Sequence, residues 1–119
     1  MPSHSTPTNE FGLSERSMDI IREICGRFPR IARVIIYGSR AMGNFREGSD
    51  IDMTVIADGD FPYDDLVRLA DAFDNSMLPY LVDVSVFAEL KTPELKDHIM
   101  RRGKVLYERE ANGGERRAE

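Results

Sequence analysis

The sequence predicts an α/β (α+β) domain in two layers: a small mixed β-sheet with helices packed on it. Three observations predict it. Stretches of helical periodicity alternate with short β-branched runs in the order helix, strand, strand, helix, strand, helix, strand. The link between the first two strands is too short for a crossover helix, which makes them antiparallel neighbours. A chain of 119 residues supports one hydrophobic core but not two.

The first helix lies in "LSERSMDIIREICGRF". Ser14 is placed to cap it, with Leu13 and Met18 as a hydrophobic staple. Met18, Ile21, Ile24, Cys25 and Phe28 form its apolar stripe, and Pro29 stops it. "RVIIY", Arg33 to Tyr37, reads as a buried strand. A tight segment from Gly38 to Gly48 leads into "SDIDMTVI", where Ile51, Met53 and Val55 face one way and Asp50, Asp52 and Thr54 the other. Pro62 to Met77 reads as the second long helix, with Leu66, Leu69, Ala70, Phe73 and Met77 on one face. Tyr80 to Phe87 is the third strand. Thr92 caps a helix with Pro93 at its first position, which ends near Arg102-Gly103, and "KVLYE" is a short last strand. Residues 1–12 and 109–119 read as disordered tails around a domain over 13–108.

Composition narrows the function classes. The net charge is −5, which disfavours broad electrostatic binding to nucleic acid. No apolar run approaches the roughly 20 residues of a membrane helix. The opening "MPSHSTPTNE" lacks the basic-then-apolar pattern of a secretory signal, and the single cysteine, Cys25, cannot form an internal disulfide. Together these give a cytoplasmic protein as the expectation.

The chemistry concentrates in "YGSRAMGNFREGSDIDMTV". Asp50 and Asp52 are two apart on a strand, on one face about 6.5–7 Å from each other. Such a pair repels unless it is solvated, protonated or bridged by a cation. Mg²⁺ suits it, because that ion takes oxygen ligands and only one or two from the protein. Asp83, flanked by valines in the third strand, joins the pair if that strand lies beside the second. Three acids from two strands suit a two-metal phosphoryl-transfer centre. The other half of the site is "GS" directly after a strand. Gly38 permits a sharp turn, and Ser39 offers a hydroxyl and an N–H at a helical start suited to phosphate. Arg40 and Arg46 are nearby cations for a triphosphate. Elsewhere the signals read as structural. Cys25 reads as a packed core residue. His98 has no second histidine at metal-ligand spacing. "RRGK" (101–104) reads as a helix-end cap, and Asp58, Asp60, Asp64 and Asp65 suit a helix start.

"GSRAMGNFREGSDIDM" with Asp83 downstream resembles the minimal nucleotidyltransferases of the DNA polymerase beta-like superfamily. The family pattern is Gly-Ser, a spacer, Asp-x-Asp and a third Asp on a later strand. The match is close over Tyr37 to Met53 and looser over about residues 13 to 108. Met42 departs from it, standing where many members carry a second basic residue. The resemblance implies a nucleotidyltransferase core that binds a nucleoside triphosphate, usually ATP, with Mg²⁺. It implies that Gly38 and Ser39, with Arg40, Arg46 and Ser49 nearby, hold the nucleotide. Asp50, Asp52 and Asp83 would bind the metals and act as the catalytic acids. Proteins of this look are often paired with an all-helical HEPN-type ribonuclease as toxin and antitoxin, in some cases adenylylating a toxin tyrosine. That partner is the expectation here.

Two rivals remain at the level of sequence. "DIDMT" fits the Asp-x-Asp-x-Thr signature of haloacid-dehalogenase-like phosphatases, but Asp50 follows a turn rather than a hydrophobic strand. Alternatively the protein is non-catalytic and inhibits a partner by occlusion, with or without bound nucleotide.

Overall fold

The computed structural model describes residues 8–109. Four helices and four strands follow in order: α1 (Glu15–Gly26), β1 (Ile31–Tyr37), α2 (Ser39–Met42), β2 (Ile51–Ala57), α3 (Tyr63–Asp74), β3 (Val82–Val86), α4 (Pro93–Arg102) and β4 (Lys104–Glu108). A 3₁₀ turn over Phe87–Glu89 precedes α4. The sheet order is β3-β2-β1-β4. β1 is antiparallel to both β2 and β4, while β2 and β3 run parallel across the α3 crossover. This is the small mixed sheet with helices packed on it that was expected, though the helices lie on both faces rather than in one layer.

The core lies on one face of the sheet. Val34 and Ile36 of β1 and Ile51, Met53 and Val55 of β2 are fully buried, and they meet Ile21, Ile24 and Cys25 of α1 and Leu69 and Phe73 of α3. The period of two along the strands and the 3.6-residue stripe of the helices supply the two halves of this layer. Each such side chain stabilises the fold by about 1.5–3 kcal/mol through burial. Ser14 caps α1 by accepting a hydrogen bond from the Ser17 N–H at 3.1 Å. Cys25 is fully buried, and burial pushes its thiol up to about 12, so it stays protonated and inert. α4 lies on the opposite face. Its Ile99 is buried apart from the main core, and a Cβ on Gly103 would stand 2.5 Å from Ile35. No helix among the described residues is long and apolar enough to cross a membrane.

The structure corrects several boundaries. α1 stops at Gly26, before Phe28 and Pro29, because a proline disfavours helical backbone in the residue ahead of it. α3 ends at Asp74, so Met77 is off the helix face and 74% exposed. Thr92 precedes α4, but its side chain makes no capping bond. Part of the segment expected as tail over 1–12 is built into the fold. Asn9 Oδ1 accepts from the N–H groups of Phe11 and Leu13, and Phe11 is buried. Arg109 belongs to the fold as well, its guanidinium donating to the carbonyls of Phe28 and Ile31. The rest of the two expected tails, residues 1–7 and 110–119, lies outside the described residues.

Candidate active site

The sheet face away from the core carries the acids. In register, Tyr37 of β1 pairs with Asp52 of β2, and Asp52 pairs with Asp83 of β3. Tyr37, Asp52 and Asp83 therefore form one row across three strands. Asp50 stands one step before β2, next to Leu81, whose carbonyl accepts the Ile51 N–H at 2.9 Å. The row behind holds Thr54 and Ser85, where the Ser85 hydroxyl donates to Thr54 Oγ1 at 2.9 Å.

The turn after β1 closes on this row. Gly38 has φ +79°, and a Cβ there would lie 2.7 Å from Asp52 Oδ2. Only glycine lets the backbone pass so close to the carboxylate. α2 starts at Ser39, immediately after it. The first N–H groups of such a turn have no partner within the helix, so free donors and carboxylates share one corner of the sheet.

The electrostatics agree with this crowding. The Asp52 carboxyl is held above the usual carboxylate range, first by burial and then by the charges of Asp83 and Asp50. Tyr37 is likewise pushed up, chiefly by burial and then by Asp52 and Asp83, against a hydrogen bond with Ser85 that pulls it down. Asp52 thus senses both of the other acids, though no three His, Cys, Asp or Glu side chains among the described residues converge into a preformed metal cage. The donor set fits Mg²⁺ in its usual manner: one or two carboxylates on an open shelf, with room for water and phosphate oxygens.

Of the residues expected from sequence, Gly38, Asp50, Asp52 and Asp83 come together, with Ser39 beside them. Ser49 is half-buried, its hydroxyl accepting the Arg46 N–H at 2.9 Å. Arg46 is exposed on the loop. Arg40 is a correction. It is 2% exposed and turned into the protein, its donors spent on backbone carbonyls rather than on the shelf. Tyr37 was missed. Its signal was its place just before "GS", on the face of β1 opposite to Ile36 and facing the strand that carries "DID". A cleft of about 870 Å³ lies away from this site between α1 and α3, where Ile20, Ile24 and Ala72 help line it, and none of the three acids borders it.

Comparison with known proteins places this arrangement. Residues 19–112 match the family described as polymerase beta, nucleotidyltransferase. The chain is 31% identical over 85 residues to a candidate protein adenylyltransferase of Methanocaldococcus jannaschii, a match covering 66% of this chain and 80% of the relative. The solved structure of a candidate minimal nucleotidyltransferase is similar with TM-score 0.58 at 29% identity, over 75% of this chain and 87% of that one. A toxin–antitoxin crystal structure with AMP-PNP is similar with TM-score 0.64 at 24% identity, over 76% and 73%. A Shewanella oneidensis complex of tri-AMPylated HEPN toxin with its MNT antitoxin gives TM-score 0.60 at 21% identity, over 79% and 71%. At these last identities the likeness is one of fold.

Proposed function

Because the chain belongs to the polymerase beta nucleotidyltransferase family, we propose that it transfers AMP from Mg-ATP to a hydroxyl acceptor, a tyrosine of an all-helical HEPN-type toxin, and so acts as its antitoxin. The observation that carries the chemistry is the register Tyr37–Asp52–Asp83 set against the bare α-carbon of Gly38. The partner and acceptor rest on likeness. Solved neighbours are toxin–antitoxin complexes, one with AMP-PNP and one with an AMPylated toxin, and the relative in sequence is named for protein adenylylation.

In this reading the Gly38–Ser39 turn holds the β- and γ-phosphates through backbone N–H groups and the Ser39 hydroxyl. Arg46, exposed on the loop, would contact the triphosphate, while Ser49 shapes that loop. Asp50, Asp52 and Asp83 would hold Mg²⁺, in a two-metal arrangement. Bound there, the ion supplies charge neutralisation on the phosphates and fixes the α-phosphate for in-line attack. Asp83 stands at the outer end of the row and takes the proton of the acceptor hydroxyl. The acceptor oxygen then forms a bond to the α-phosphorus as the bond to the bridging oxygen breaks, and pyrophosphate leaves with the electron pair.

The protein incubated with Mg-ATP and the product of its neighbouring gene is expected to add one or more AMP masses to that partner. Asp50→Ala/Asp52→Ala is expected to abolish both the mass gain and neutralisation of the partner. If the double variant binds and neutralises the partner as well as the wild type, occlusion is the mechanism and transfer is not.

A further inference from the structure

We infer that Arg40 is a positioning residue that fixes the spacing between the phosphate turn and the acid strand, rather than a contact to nucleotide. The inference rests on the nucleotidyltransferase reading of the acid row. Arg40 is the largest of the fully buried side chains. Its Nε and Nη2 both donate to the Ser49 carbonyl, at 3.0 and 2.9 Å, and its Nη1 donates to the Phe11 carbonyl at 2.8 Å. The guanidinium carbon lies 4.9 Å from the Phe45 ring centroid and 4.5 Å from that of Tyr80.

These partners matter for where they sit in the chain. Arg40 itself follows Gly38–Ser39. Ser49 is bonded directly to Asp50. Tyr80 leads into β3 three residues before Asp83. One planar cation therefore ties together the three segments that bring the site residues, and adds the Asn9–Leu13 strap as a fourth anchor. A forked donor on a single carbonyl fixes direction as well as distance, which a lysine ammonium cannot do. The two rings favour the cation once it has left water. Gly12 marks the tightness of the strap: a Cβ there would stand 2.5 Å from the Phe45 ring and 3.0 Å from Arg40 Nη1.

The test compares wild type, Arg40→Lys and Phe45→Leu without nucleotide. It reads amide NMR shifts, Mn²⁺ affinity by electron paramagnetic resonance, and thermal midpoint. Arg40→Lys keeps the charge and loses the fork. Expected are shift changes at Gly38–Ser39 and Ser49–Asp52 and a 10- to 100-fold weaker Mn²⁺ affinity, the range about usual for residues that orient metal ligands. Phe45→Leu is expected to show a smaller loss of the same kind, with little added in the Arg40→Lys background. Unchanged amides and Mn²⁺ affinity with only a lowered midpoint would make Arg40 a plain core residue and overturn the inference. If Arg40→Lys does not fold, Phe45→Leu decides alone by the same two readouts. If wild type binds Mn²⁺ but transfers no AMP, the proposed function fails while Arg40 is still judged by affinity. If wild type binds no Mn²⁺, the amides decide.

Discussion

At the scale of single residues, Asp52 and Gly38 set the geometry and charge of the candidate site. Asp52 holds its proton more tightly in the folded chain than in the unfolded one, because burial and two neighbouring carboxylates disfavour its charge. Ionised Asp52 therefore works against the fold above the ordinary carboxylate range, and that penalty disappears as pH falls below it. Asp52→Asn is accordingly expected to keep or raise the thermal midpoint at neutral pH while lowering transfer at least about 100-fold. A midpoint several degrees lower would contradict the electrostatic reading. The same logic gives Mg²⁺ a larger stabilising effect on wild type than on the variant in a melting experiment. Gly38→Ala is expected to cost about 1–3 kcal/mol in stability and to remove activity, since the new methyl would occupy the space of Asp52 Oδ2. Urea titration and a transfer assay check both halves. Much of this site was legible in sequence. Spacing alone paired Asp50 with Asp52, and an acid between valines marked Asp83. Arg40 was not legible, because whether an arginine points outward or is swallowed depends on rings and carbonyls distant in sequence. Tyr37 was hidden for the opposite reason, as a strand-end aromatic reads as core.

At the scale of elements, each functional part is held by ordinary local chemistry. α1 begins where Ser14 caps it, and Ser14→Ala is expected to cost about 1 kcal/mol, read from the urea midpoint without change in transfer per folded molecule. β2 and β3 matter most, because their parallel register brings Asp83 beside Asp52. That register is set by the inward faces, Ile51, Met53 and Val55 against Val82, Val84 and Val86, since a slip of one residue would expose all of them. Alternation made these strands readable. The element ends were less so. Met77 continues the α3 pattern in sequence, yet the helix stops at Asp74 and Ser76 turns back to hydrogen-bond the Phe73 carbonyl. Asn9 to Gly12 read as tail by composition, but a side-chain turn at Asn9 and the burial of Phe11 make them structure.

At the scale of the whole molecule, one face of the sheet makes stability and the other makes the site. Among the described residues α1 and α3 cover the first, while Asp50 and Asp83 on the other are exposed and α4 crosses near Ile35. A shelf of this kind suits an acceptor delivered by another protein. Transfer of a nucleotidyl group by this shelf is what separates the proposed enzyme from phosphatase-like or purely occluding behaviour. The most direct measurement is transfer of label from ATP carrying ³²P at either the α or the γ position, with the helical partner as acceptor. Nucleotidyl transfer predicts that α-label becomes covalently attached to the partner while γ-label leaves as pyrophosphate. Attachment of γ-label, or inhibition of the partner with no label attached from either, would contradict it.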